Sequence, residues 1–144
     1  MVIASSLALI GLFFRGQDPQ CLCVGKFEGA DPSSVVALSP DSEVVVVGHH
    51  TELHWFNASN GESQGKIEQP HGSRPVTAMS FDKENRWLLT AGDRHIRVFH
   101  NVPGHQVRLQ DLQGKLKTAN TAALKERLQQ QIEELKSVLK NLQQ

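Results

Sequence analysis

AGDRHIRVFH, residues 91–100, sets an aspartate in a tight Gly-Asp-Arg turn and follows it with a short apolar stretch. Ile96 and Val98 alternate with Arg97, so they share one face of an extended segment. Gly92 has no Cβ to oppose a sharp turn, and an Asp side chain can bond backbone N–H groups in its own turn. The stretch therefore predicts a hairpin tip held by Asp93, leading into a strand whose Ile96 and Val98 point inward.

The same pattern occurs earlier in the chain. Residues 35–61 (VVALSPDSEVVVVGHHTELHWFNASNG) overlay residues 76–104 (VTAMSFDKENRWLLTAGDRHIRVFHNVPG). Ala37-Leu38-Ser39 matches Ala78-Met79-Ser80, Asp41 matches Asp82, and Trp55-Phe56 matches Val98-Phe99. Self-similarity at about 40–45 residues, with several short strands per unit, marks β-propeller blades. The first unit reads as strands at 35–39, 43–48, 51–56 and 63–69, and the second as strands at 76–81, 86–91 and 94–100. EVVVVG at 43–48 is unalternating and predicts a strand buried on both faces. In TELHWF, Leu53 and Trp55 share a face. SQGKIEQ is polar and suits an edge, where polar side chains discourage further pairing.

GDRHIRVF resembles the end of a WD repeat, which runs Asp-x-x-apolar-x-apolar-Trp. Asp93 takes the aspartate position, Ile96 and Val98 the apolar ones, and Phe99 replaces the Trp. His71, five residues before Val76, resembles the histidine that opens a blade. The resemblance implies a buried hydrogen-bond network of Asp93, His71 and a strand hydroxyl, here Thr90. Phe99 has no N–H to donate, so it leaves the network partial. In the first unit Thr51-Glu52 stands where an Asp is expected.

The expected fold is mostly β with a C-terminal α part: about two blades of a WD-repeat propeller, then a helical hairpin. Residues 1–16 are an apolar tail, 17–104 the partial propeller and 105–144 the hairpin. Within 17–104, residues 20–28 (QCLCVGKFE) supply one stray outer strand, followed by one four-stranded and one three-stranded blade. Propellers typically close with four to eight blades. The chain therefore reads as a piece of a longer propeller protein or a truncated isoform. In the ring, the protein's own N-terminal segment would complete the last blade.

From Gln106 the period becomes helical. Leu109, Leu112 and Leu116 form one stripe, and Asn120 offers an N-cap for a second helix. In that helix Leu128, Ile132, Leu135, Leu139 and Leu142 recur at spacings of four and three, a heptad seam. Short connections favour antiparallel neighbours. A hairpin over 106–143 docked at the edge of the last blade is expected.

Composition limits the function. Lys plus Arg and Asp plus Glu are 15 each, so no overall field steers the chain toward nucleic acid or an anionic membrane. Cys21 and Cys23 match neither a disulfide framework nor a Cys-x-x-Cys motif and read as reduced structural thiols. The apolar run at 2–14 is shorter than the ~20 residues a spanning helix needs, and no basic segment precedes it as in a signal peptide. Asn57-Ala58-Ser59 is a formal glycosylation sequon and reads as turn composition. His49, His50 and His54 lack a ligand spacing for zinc, since His50 and His54 lie roughly 13 Å apart along a strand. No nucleophile sits in a recognisable turn, and no glycine loop cradles phosphate. No enzyme, cofactor, metal or small-molecule substrate is expected.

Further residues, QDP at 17–19, GKFE at 25–28, GDRHIRVFHNVPGH at 92–105 and RLQQQ at 127–131, are similar to one branch of the WD-repeat family. This resemblance implies a non-enzymatic adaptor on the cytosolic face of the endoplasmic reticulum. It further implies action in the unfolded-protein response and association with the ER-stress kinase PERK. The alternatives are a coiled-coil oligomerisation module and an RNA- or ribosome-associated adaptor that regulates translation.

Overall fold

The computed structural model describes residues 2–3, 12–13 and 33–142. The stray strand expected at 20–28, with Cys21 and Cys23, lies outside the described residues, as does most of the tail at 1–16. Within that tail β1 (Val2–Ile3) pairs antiparallel with β2 (Leu12–Phe13).

The first blade is a four-stranded antiparallel meander of β3 (Val35–Leu38), β4 (Val44–His49), β5 (Glu52–Asn57) and β6 (Ser63–Glu68). The second has β7 (Ala78–Phe81), β8 (Trp87–Ala91) and β9 (Ile96–His100) in the same order. Each meander follows from β-branched or apolar runs separated by turn residues. Val44, Val45, Val46 and Val47 are all buried, and β6 is largely exposed. The architecture is part of a propeller, two neighbouring blades packed face to face.

Register decides which residues meet between the blades. Val46 lies opposite Trp55, and Gly48 opposite Leu53. This face of the first blade packs on the face of the second that carries Leu88, Met79, Phe81 and Phe99. Trp55 meets Phe81 edge-on, with ring centroids 6.0 Å apart at 75°. The equivalent face of the second blade is bare. Ile96 is 71% and Val98 55% exposed, against 0% for Leu53 and 2% for Trp55. The inward orientation expected for Ile96 and Val98 is therefore corrected. Strand alternation puts them together on one face, and no further blade covers that face among the described residues.

The helices also depart from expectation. α1 (Val102–Thr118) begins four residues before Gln106, so the helical part starts ahead of residue 105. Asn101, 1% exposed, is its N-cap and accepts a 3.0 Å bond from Gly104 N–H. Pro103 fits the first turn, where its missing N–H costs nothing. A Cβ on Gly104 would collide with the Asn101 side chain, so this capping needs glycine. Asn101 also donates from Nδ2 to the Asn85 carbonyl at 3.0 Å, and Asn85 Oδ1 accepts from Asp41 N–H at 3.3 Å. The amides of Asn101 and Asn85 thus link the helix to turns of both blades.

α2 (Ala122–Leu142) is capped by Thr121 rather than Asn120, its Oγ1 accepting from Leu124 N–H at 3.3 Å. Leu128 and Ile132 pack with Leu112 and Ala119, and Leu109, Leu116 and Leu135 close the cluster. Leu139 is buried and Leu142 half-buried. The hairpin does not dock at the edge of the last blade. The Asn101 cap turns α1 back beneath the blade pair, where it touches β4 and β5 and inserts Val107 into the core between the blades.

Candidate functional site

The hairpin tips of both blades and the loop at 69–77 meet at one end of the molecule. Gln69 N–H donates to the Thr51 carbonyl at 2.7 Å, Val76 N–H to the His50 carbonyl at 3.2 Å, and Thr77 N–H to the Ala91 carbonyl at 2.8 Å. This stapling carries His71 beneath the tip of the second blade. There His71 Nδ1 lies 2.6 Å from Asp93 Oδ1, and its Nε2 lies 2.8 Å from Thr90 Oγ1. With Nδ1 protonated, the imidazole donates to the carboxylate and accepts from the hydroxyl. His71 and Thr90 are each 1% exposed. The ring sits against the backbone of Gly92, where any Cβ would overlap it. Glycine at 92 is thus required by the approach of His71.

Arg97 completes the arrangement, its Nη2 lying 3.0 Å from Asp93 Oδ2. The WD resemblance implies bonds among Asp93, His71 and Thr90 and leaves Arg97 out; in the structure Arg97 takes the second carboxylate oxygen. The i,i+4 spacing from Asp93 to Arg97, across the tip, was the available signal. The His71 hydrogen bond, opposed by partial burial and reinforced by Arg97, holds the Asp93 carboxyl below its ordinary range.

Phe99 lies away from these polar atoms and is half-buried against the core between the blades. Among the described residues the first blade has no matching network. Strand register aligns the blades at a 43-residue offset, which puts Val47 where Thr90 stands and His50, rather than Thr51-Glu52, where Asp93 stands. The first blade's polar fastening is at the other end: Asp41 Oδ1 accepts from Ser39 Oγ at 2.6 Å and from Glu43 N–H at 3.1 Å. Asp41 is therefore engaged and not simply open to solvent. In the second blade Asp82 Oδ1 accepts from Arg86 and Trp87 N–H groups at 2.7 and 2.8 Å.

The histidines are spoken for by ordinary contacts. The His49 and His50 rings lie 4.0 Å apart, Ser34 Oγ meets His49 Nδ1 at 2.9 Å, and His54 Nε2 meets Glu52 Oε2 at 2.9 Å. Among the described residues no group of three His, Cys, Asp or Glu side chains could hold a metal ion. No described helix is long and apolar enough to cross a membrane. Asn57 is buried and accepts from Ser59 N–H and Oγ at 2.8 and 2.7 Å, so the sequon forms a closed turn. What the arrangement offers chemically is rigidity: a carboxylate and a hydroxyl of the hairpin both bonded to one buried imidazole of the loop.

Comparison with known proteins agrees with this geometry. Residues 62–100, from the start of β6 through β9, match the family described as WD domain, G-beta repeat. Transducin beta-like protein 2 of Homo sapiens is 39% identical over 131 residues, covering 89% of this chain and 29% of its own length. The Mus musculus protein of the same name is 39% identical over 129 residues, with the same coverage. The chain thus spans 29% of the length of the curated relatives it matches. The crystal structure of Kluyvelomyces marxianus Hsv2 superposes with a TM-score of 0.41 at 19% identity, over 46% of this chain and 22% of that one. Residues 62–100 thus carry a WD repeat, and the chain is similar over 89% of its length to a segment of transducin beta-like protein 2.

Proposed function

We propose that the chain acts as a non-enzymatic WD-repeat scaffold that presents its loops to protein partners. The likeness to transducin beta-like protein 2 over 89% of the chain carries this reading. The finer reading is an adaptor at the cytosolic face of the endoplasmic reticulum that associates with the ER-stress kinase PERK. In it, His71, Thr90 and Asp93 are a structural fastening that sets loop shape, Phe99 packs in the core between the blades, and none of them reacts. Strands β3 to β9 form the propeller part, and α1 with α2 the hairpin that braces it. The seam at Leu128, Ile132, Leu135, Leu139 and Leu142 serves this brace. Its packing against Leu109, Leu112 and Leu116 supports an intramolecular role over a coiled coil between chains.

The test is co-precipitation of the tagged chain with the purified cytosolic part of PERK. Specific capture that weakens when Thr90→Val loosens the loop is the expected result. No capture at micromolar concentrations of both proteins would rule out that partner.

A further inference from the structure

The two ends of the blade pair differ in which charges are left over. At the turn end Asp41, Glu43, Asp82 and Glu84 lie near Lys83 and Arg86 and, from α1, near Arg108 and Lys115. At the tip end the acids are already engaged. Glu52 bonds His54 and Lys66, Glu68 pairs with Lys66 at 2.6 Å, and Asp93 holds His71 and Arg97. Arg74 and Arg94 are both exposed there. We propose that this tip end binds an acidic protein segment, with Arg74 and Arg94 as its anion contacts.

Two observations support the assignment. First, the surface is preorganised. Arg74 N–H donates to the His71 carbonyl at 3.2 Å, and Arg94 directly follows Asp93, so the His71–Asp93 bond fixes both arginine backbones in one unit. A guanidinium on a fixed backbone loses less freedom when it grips a carboxylate with paired N–H donors. Second, Arg94 has φ 66° and His50 φ 50°, left-handed conformations that glycine or asparagine adopts at least cost. At the turn end the corresponding strained positions are the small Ser42 and Asn85. Gln69 (φ 51°) is the third such residue of the tip end, and of the three the turn at Arg94 presents an exposed cation.

A protein partner is favoured over RNA. The tip loops carry no Phe, Tyr or Trp on which bases could stack. This inference rests on the scaffold reading and specifies the chemistry of its partner.

The experiment uses the whole chain and fluorescence anisotropy of labelled hexaglutamate, with labelled hexalysine and a ten-nucleotide uridine RNA as comparators. Hexaglutamate should bind, more weakly as salt rises, and hexalysine should not. Arg74→Ala and Arg94→Gly, the latter suited to the left-handed turn, should each weaken binding about tenfold. Arg86→Ala, at the turn end, should change nothing. Unaltered circular dichroism in each variant establishes that the fold is intact. Failure of hexaglutamate to bind, wild-type affinity in both tip variants, or tighter binding of the RNA would overturn the proposal. Hexaglutamate binding without capture of PERK would reject that kinase and leave this surface standing.

Discussion

Two faces of this molecule share a pattern and differ in environment. In the first blade Leu53 and Trp55 project from β5 into the core between the blades and are fully buried. In the second, Ile96 and Val98 project from the equivalent positions of β9 and stand in solvent. The side chains are equally apolar. What differs is whether, among the described residues, a neighbouring blade covers the face, so burial in a repeat architecture is conferred by the neighbour rather than by the residue.

The comparison breaks most readily at its strongest contact. Trp55→Ala empties the core between the blades and should cost about 3–5 kcal/mol. Val98→Ala at the matching position should stay within about 0.5 kcal/mol. Denaturant midpoints measure both, and equal losses would mean that the two faces are equally covered.

A smaller effect separates the polar fastenings. Thr90→Val leaves the buried Nε2 of His71 without its partner and should cost about 1–3 kcal/mol. Val47→Ala, at the corresponding first-blade position, removes packing but no hydrogen bond. Amide exchange should therefore quicken in β8 and β9 and at the 69–77 loop in the first variant only.

The same fastening sets a pH dependence. The Asp93 carboxyl is held below its ordinary value of 3.8, so the folded state favours the ionised form. Its contribution is complete above that value and is lost as pH falls through the lower folded value. Asp93→Asn should flatten the loss of stability between about pH 5 and about pH 2. Unchanged acid sensitivity would mean that other carboxylates, such as Glu52 and Asp82, dominate.

The smallest expected change is a gain. Gly114 lies in the middle of α1, and a Cβ there would meet no atom within 4 Å. Gly114→Ala should stabilise the chain by about 0.5–1 kcal/mol without altering either blade, read as a higher thermal midpoint.

Much of this architecture was legible from residues alone, because short apolar runs and turn residues alternate on a fixed period. Strands β3 to β9 fall within two residues of the expected segments. The likeness of GDRHIRVF to the end of a WD repeat points to His71, Thr90 and Asp93. The rest depended on tertiary context. Alternation groups Ile96 with Val98 but does not say whether anything covers them. Asn101-Val102-Pro103-Gly104 has the composition of a turn, yet it opens a helix, because the Asn101 amide caps Gly104 N–H and proline suits a first turn. The docking of α1 under β4 and β5 follows from that cap and from Val107, neither of which stands out in a helical stripe.

The central claim, one covered face and one bare face, can be read from the chain's two tryptophans. Trp55 is buried between the blades at 2% exposure. Trp87 is half-buried on the bare face, against the ring of His100 at 4.2 Å. Acrylamide quenching of the single-tryptophan variants Trp87→Phe and Trp55→Phe isolates each in turn. The account predicts strong resistance to quenching from the Trp55 that remains in the first variant and ready quenching of the Trp87 that remains in the second. Equal quenching of the two would contradict it.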